Sequence, residues 1–339
     1  MHIPDGYLSP QTCAVMGAVM LPVWAAAAKK VNNVQKTKYA PLMAIGAAFT
    51  FVIMMFNIPV PDGTTAHAVG GGLLAIVLGP WAACISITIA LAVQALLFGD
   101  GGILAFGANT FNMALLLPFS AYYTYRLIAG NSEAASSRRW LGGLAGGYIG
   151  VNLAALAAAV EFGLQPVLFH AADGAALYCP YPLSMAVPAM ALAHLSIAGP
   201  VEGVITALAI RYLQERNAGI LSVEASSSPL EGHSYKKLMR GLGMLILLSP
   251  LGLLAKGTAW GEWAAGEIEA KMGFIPGGMS SLAERWQAPL PDYGLPGFEH
   301  NLLQSSTVYI VSAIIGLGII FAITYIFSLV QKKTTPDKT

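Results

Sequence analysis

Apolar segments recur along the whole chain with short polar stretches between them. Runs long enough to cross the ~30 Å hydrocarbon layer of a bilayer lie near 9–28, 39–56, 81–98, 108–127, 140–162, 185–210, 239–255 and 307–330. A shorter glycine-rich segment, 67–79, ends at the Gly79-Pro80 turn and is interpreted as a ninth, partial crossing. The pattern predicts an all-α membrane protein with about nine transmembrane segments.

Basic residues occupy alternate polar stretches, and only Lys256, Lys271 and Arg285 fall on the opposite side. The positive-inside rule then predicts an outer N-terminus and a cytoplasmic C-terminus in a multi-pass protein of the cell (inner, plasma) membrane. The first apolar run is followed by Lys29 rather than preceded by a basic residue. It is therefore expected to remain as a helix and not to be cleaved as a signal peptide.

Composition agrees with a membrane protein and excludes several functions. Of the 339 residues 56% are hydrophobic and 10% charged, against roughly 25% charged in soluble domains. A net charge of +1 argues against a nucleic-acid partner. The three cysteines form no C-x-x-C pair, and no P-loop, H-E-x-x-H or nucleophile elbow occurs. The chain is expected to be no enzyme, to need no cofactor, and to draw any transport energy from a partner.

A polar, Gly/Ser-rich stretch at 217–236 reads as a cytoplasmic linker between two units. Residues 1–216 form a seven-span unit, and 237–339 form a two-span hairpin around an outer loop, 256–306. That loop is acidic, with Glu262, Glu267, Glu269, Glu284, Asp292 and Glu299. We interpret the acidity as ordinary solubility, with gathering of cations as the alternative.

The chain begins Met1-His2-Ile3-Pro4-Asp5-Gly6. The α-amine of Met1, the amide nitrogen of His2 and the His2 ring are able to close a five-membered and a six-membered chelate around one metal ion. These donors lie nearly in a plane, a geometry that suits Ni(II) and Cu(II). It requires an unmodified Met1, which the bulk of His2 favours, because removal of the initiator generally needs a small second residue. The alternative is a chance histidine at a disordered terminus.

His67, in Gly63-Thr64-Thr65-Ala66-His67, lies at the predicted outer end of the third segment. It shares a side with Met1 and is the natural fourth nitrogen of a square, although a lone membrane histidine also serves in helix packing. Polar groups that interrupt other apolar segments have two interpretations each. Gln94, Asn109 and Asn112 either orient metal ligands or join helices, and Glu202 is given a structural or coupling role rather than a cation path.

Five motifs together resemble one family: Met1-His2-Ile3-Pro4-Asp5-Gly6, Gly63 to His67, Leu97 to Ile103, Gly107 to Met113, and Val201-Glu202-Gly203. They are similar to the CbiM/NikM-type substrate-capture (S) components of energy-coupling factor cobalt/nickel transporters. The tail, with Ser249 to Leu253 and Pro291-Asp292-Tyr293-Gly294, resembles the small companion subunit fused behind, as in NikMN-like chains. Tyr293 departs from that pattern, since the separate companion has glycine there.

The resemblance implies that Met1, His2 and His67 hold the transported ion, Ni(II) or Co(II). It also implies a transmembrane (T) partner subunit and cytoplasmic ATPase subunits, whose ATP hydrolysis tilts the S component to release metal inside. Two small-residue stripes, Ala40/Ala44/Ala48 and Gly142/Gly146/Gly150, are of the kind that usually serves internal packing. A stripe such as Ala40/Ala44/Ala48 is also where such families often meet the transmembrane partner. Fusion to the companion favours nickel over cobalt. A vitamin-type S component and a solitary secondary metal transporter are the further alternatives.

Overall fold

The computed structural model describes residues 1–33, 40–217, 232–283, 285–298 and 301–333. Within these ranges the chain forms one short hairpin, β1 (Ile58–Val60) paired antiparallel with β2 (Thr64–Ala66). Its helices are α1 (Pro10–Asn33), α2 (Ala40–Met54), α3 (Gly71–Leu78), α4 (Pro80–Val93), α5 (Phe106–Thr110), α6 (Leu117–Ala129), α7 (Ser137–Leu168), α8 (Leu183–Ala193), α9 (Gly199–Asn217), α10 (Gly232–Leu248), α11 (Ala265–Met272), α12 (Gly277–Ala283) and α13 (Leu302–Lys333).

The predicted all-α membrane class is confirmed. Six helical stretches in the described part of the chain are long and apolar enough to cross a bilayer, and Ala40–Met54 is a shorter apolar helix. Helix α3 has only eight residues, or about 12 Å of rise, so this segment spans less than half of the hydrocarbon layer. The count of nine crossings and the orientation of the termini stay predictions.

Three π-helical turns among the described residues lengthen helices of the bundle, and two of them join a pair of helices into one rod. Gln94–Phe98 extends α4, Phe111–Leu116 links α5 to α6, and His194–Ala198 links α8 to α9. Such turns insert one residue into the α-helical repeat and are frequent at functional sites. Gln94 and Asn112, two of the polar residues that the sequence marks, lie inside these turns.

Small residues serve internal packing in both predicted stripes. A Cβ on Gly146 would lie 2.6 Å from the carbonyl oxygen of Ala121, and one on Gly150 would lie 2.8 Å from that of Leu117, so α7 packs directly on α6. On α2, Ala44 and Ala48 are buried. The expectation that the Ala40/Ala44/Ala48 stripe faces a transmembrane partner is therefore wrong for two of its three members, because this chain already covers them.

The C-terminal hairpin packs on the first unit. Most of the proposed linker, 217–236, lies outside the described residues, but α10 and α13 both contact α2. The hydroxyl of Tyr309 on α13 donates to the carbonyl oxygen of Met55 at 2.9 Å. A Cβ on Gly252 would lie 2.1 Å from the same oxygen. The long loop, residues 255–301, follows the 3₁₀ turn Ser249–Leu254 and precedes α13. One of its residues, Glu262, contacts the α-amine of Met1.

Candidate metal centre

The first six residues are folded into the protein. His2 and Ile3 are almost wholly buried. The backbone of Ile3 is clamped by Asn109, whose Oδ1 accepts from Ile3 N at 2.7 Å and whose Nδ2 donates to Ile3 O at 3.0 Å. The Asp5 carboxylate accepts three backbone N–H bonds from residues 103–105, at 2.8 to 3.1 Å. These contacts fix the position of Met1 and His2.

Gly102 is required where the N-terminal segment crosses the loop before α5. Its N–H donates to the carbonyl oxygen of Ile3 at 2.8 Å. A Cβ at this position would lie 2.1 Å from Oδ1 of Asp5. Only glycine allows the two backbones to approach this closely.

The His2 ring is 1% exposed. Neither of its nitrogens makes a well-directed hydrogen bond among the described residues, although Nδ1 lies 3.1 Å from Oδ1 of Asp100. Burial lowers the pKa of this imidazole to about 4, so the ring is neutral at pH 7. Buried polar atoms normally have partners. An unpartnered neutral imidazole at a polar centre fits a metal ligand.

His67 lies beside His2, with ring centroids 5.2 Å apart. Its Nδ1 is 3.2 Å from the carbonyl oxygen of Ala68, which leaves Nε2 for another partner. Its segment is held by Glu202 of α9, whose carboxylate accepts N–H bonds from Val69 and Gly70 at 2.8 Å and from Gly72 at 3.0 Å. Glu202 thus caps the N-terminus of α3, in agreement with the structural role expected for it.

Glu262, from the long loop, is the residue that sequence reasoning missed. Its Oε1 accepts from the α-amine of Met1 at 2.5 Å and from the amide nitrogen of His2 at 2.8 Å. Burial alone would raise the pKa of this carboxyl, but the ammonium of Met1 and the two imidazoles outweigh it and lower the pKa. The interpretation of this acid as a solubilising loop residue is wrong, because it is 15% exposed and paired at the site.

Tyr293, a second residue of the long loop, contacts Asp100, which lies beside the His2 ring. The hydroxyl of Tyr293 donates to Oδ2 of Asp100 at 2.6 Å, and Nε2 of Gln94 donates to the Tyr293 oxygen at 2.8 Å. Burial, followed by the charge on Glu262, raises the pKa of Asp100. Gln94 and His2 thus both lie next to the Asp100 carboxylate, since Gln94 Nε2 also donates to its Oδ2 at 3.2 Å.

The structure brings together the three residues predicted as ligands. One ring nitrogen each of His2 and His67 and one carboxylate oxygen of Glu262 lie within 4.8 Å of one another, and Met1 N contacts the same carboxylate. Asn112, for which the sequence left open a role in orienting metal ligands, donates from Nδ2 to Oε2 of Glu161 at 2.8 Å. One sequence signal for Glu262 is its place between Trp260 and Trp263, since an acid among aromatic residues is unusual for a solvated loop.

Two family models match the chain. The first, described as the cobalt uptake substrate-specific transmembrane region (CbiM), covers residues 2–220. The second, the PDGLE domain, covers residues 236–333. The boundary between them falls in the polar stretch that the sequence marks as a linker.

Relatives match across both units. The chain is 48% identical to the fused nickel transport protein NikMN of Rhodobacter capsulatus, over 95% of each chain. It is 46% identical to the probable fused nickel transport protein LarMN of Lactiplantibacillus plantarum, over 93% of each chain. A crystal structure of a truncated transition metal transporter is 61% identical and superposes with a TM-score of 0.60, covering 63% of this chain and 99% of that one.

Proposed function

This chain belongs to the CbiM family, the cobalt uptake substrate-specific transmembrane region, and we propose that it captures a divalent transition-metal ion for uptake. The ion is nickel, in keeping with relatives named as fused nickel transport proteins over nearly their whole length. We assign capture to the α-amine of Met1, the amide nitrogen and ring of His2, and His67. Ion release into the cell is assigned to a transmembrane partner and ATPase subunits of an energy-coupling factor transporter.

One observation carries the assignment of ligands. The Met1 amine and the His2 amide nitrogen both point at a single oxygen atom, 2.5 and 2.8 Å away, so they already converge as a chelate requires. The two imidazoles lie beside this point. Coordination needs deprotonated nitrogens and releases protons. A neutral His2 ring at pH 7 supports binding under ordinary conditions.

The first test disrupts the chelate and, in a separate variant, the fourth ligand. Inserting one alanine between Met1 and His2 separates the amine from the amide, and His67→Ala removes the fourth nitrogen. We expect each change to weaken nickel binding by at least about tenfold, a loss typical of damaged metal sites. The measurement is a nickel titration of the purified full chain, whose N-terminus is checked by mass. His170→Ala, an exposed histidine elsewhere, is the control.

Elemental analysis after growth with both metals tests the choice of ion. Nickel in the purified protein supports the proposal. Cobalt alone would change the proposed ion to cobalt but leave the assignment of the ligands as it is. A bound organic molecule without metal would favour a vitamin-type component. Metal accumulation by proteoliposomes that lack ATPase subunits would favour a solitary transporter. Undiminished nickel binding after the alanine insertion would refute the chelate.

A further inference from the structure

The two sides of the site differ in their access to solvent. The side chains of Met1 and His2 are each about 1% exposed, whereas the Glu262 side chain is 15% exposed. An ion arriving from solvent therefore meets the carboxylate before it meets the amine or the amide nitrogen. A carboxylate also attracts a dication and raises its association rate.

Glu262 is held in place by its neighbours on both sides. Gly261 has φ +81°, and a Cβ there would lie 2.7 Å from the Phe162 ring. Trp260 and Trp263 pack on each other and on Tyr181, with ring centroids 5.0 to 5.9 Å apart. The hydroxyl of Tyr7 donates to the carbonyl oxygen of Trp263 at 2.9 Å. A loop acid fixed in this way has a defined position at the site.

The distances suit a metal ion. Ligand atoms of His2, His67 and Glu262 lie within 4.8 Å of one another. Metal–ligand bonds of about 2.0–2.2 Å place ligand atoms at most about 4.4 Å apart, so the three groups already lie near the spacing that a shared ion requires. Two imidazoles and a carboxylate form a recognised set for divalent transition metals that leaves positions open for water.

Both nitrogens of the N-terminal chelate donate hydrogen bonds to Glu262 in the structure. The two hydrogen bonds end on Oε1, which leaves Oε2 free of the N-terminus. A metal that bonds to the amine and the amide nitrogen replaces one proton on each, and both protons leave to solvent. Formation of the chelate thus removes the amide donor and the positive charge of the amine, which loosens Glu262 from the N-terminus.

We propose that Glu262, His2 and His67 form a loading site, which holds the incoming divalent metal ion before the Met1 amine and the His2 amide take it over. The inference rests on the proposed function and extends it to a residue of the C-terminal unit. Glu262 is a ligand in the loading site but not in the final square-planar site formed by Met1, His2 and His67. The long loop therefore takes part in metal capture directly.

The test follows nickel association with the full chain by stopped-flow tryptophan fluorescence, because Trp260 and Trp263 flank Glu262. We expect Glu262→Gln to slow association by at least about tenfold, while the absorption spectrum of the loaded, square-planar nickel stays that of the unaltered chain. Glu262→Asp keeps the carboxylate but retracts it, and it is expected to give an intermediate rate. Glu269→Gln, an exposed acid of the same loop, should bind at the unaltered rate.

The outcomes separate this inference from the proposed function. If the unaltered chain binds no nickel, the proposed function itself fails. If it binds nickel and Glu262→Gln binds as fast or faster, Glu262 only blocks the ligands and the loading site is refuted. Should Glu262→Gln not fold, an unchanged association rate in Glu262→Asp would refute it as well. An altered spectrum in Glu262→Gln would place Glu262 in the final site and overturn the two-state scheme.

Discussion

At the scale of single residues, the site depends on contacts that hold the N-terminal segment rather than on the ligands alone. Asn109 pairs with both backbone groups of Ile3, and Asp5 accepts three N–H bonds from the loop before α5. Partners that orient ligands typically affect metal affinity by 10- to 100-fold. Gly102, which allows this approach, is therefore as sensitive a position as a ligand.

Gly102→Ala tests this dependence. Its Cβ would lie 2.1 Å from Oδ1 and 2.5 Å from the backbone nitrogen of Asp5, so relief of the overlap must move the backbone of the segment that carries Met1 and His2. We expect nickel affinity to fall on the order of tenfold or more, measured by titration of the purified chain. Gly266→Ala, a glycine of the long loop with open space around it, is the control. Equal affinities for the two variants would show that the N-terminal segment adjusts freely.

Sequence reasoning found the residues of the site that carry a local pattern. Met1 and His2 are adjacent, and His67 follows glycines on the same predicted side, so chemistry and topology sufficed to join them. Glu262 lies 195 residues beyond His67 in a stretch where acids normally face solvent. Its contact with Met1 depends on the docking of the C-terminal unit, and the position of that unit cannot be read from a single sequence. Whether Met1, His2 and His67 bind metal stays a prediction.

At the scale of elements, the apolar runs predicted the long helices, because a helix that is buried or faces lipid consists mostly of apolar residues. The π-helical form of the irregular turns within them was not predicted. The π-helical turns at Gln94–Phe98 and Phe111–Leu116 depend on tertiary contacts of polar side chains within the rods. Helix α3 depends on such a contact as well, since Glu202 satisfies three N–H groups at its start.

Glu202→Gln tests the contribution of this cap. An amide offers one acceptor oxygen where the carboxylate offers two, so at least one buried N–H of residues 69–72 loses its partner. We expect the free energy of unfolding in detergent to fall by about 2–3 kcal/mol and nickel affinity to fall with it. Glu215→Gln, in an exposed pair with Arg211, should cost about 0.5 kcal/mol or less. Similar losses in both variants would argue against the cap.

At the scale of the whole molecule, the two units share one buried interface. Tyr293 stacks on Phe98 with centroids 4.7 Å apart, and Tyr309 bonds to Met55 at the end of α2. Phe51, inside the first unit, contacts the Tyr293 ring as well. These contacts predict that the units unfold together.

The cysteines offer a test, because all three are buried in the first unit. Three of the six tryptophans lie in the long loop, and fluorescence reports on that loop once the other three, Trp24, Trp81 and Trp140, are replaced by phenylalanine. We expect thiol labelling and tryptophan fluorescence to report the same melting transition in detergent. Tyr309→Phe removes one hydrogen bond between the units and should lower both midpoints together, by about 1 kcal/mol of stability. A shift of the fluorescence transition alone would show that the units melt independently.

Tyr293 has a further consequence for the order of assembly. Its φ of +61° is a conformation that costs an L-residue roughly 1–2 kcal/mol, and glycine would adopt it freely. The hydrogen bonds to Asp100 and Gln94 and the stacking on Phe98 offset that cost, and all three partners precede Tyr293 in the chain. The contacts that offset this cost all come from the first unit, so the turn reaches its full stability only after Phe98 and Asp100 have taken their folded positions. We therefore expect a newly synthesised chain to complete its second half after its first.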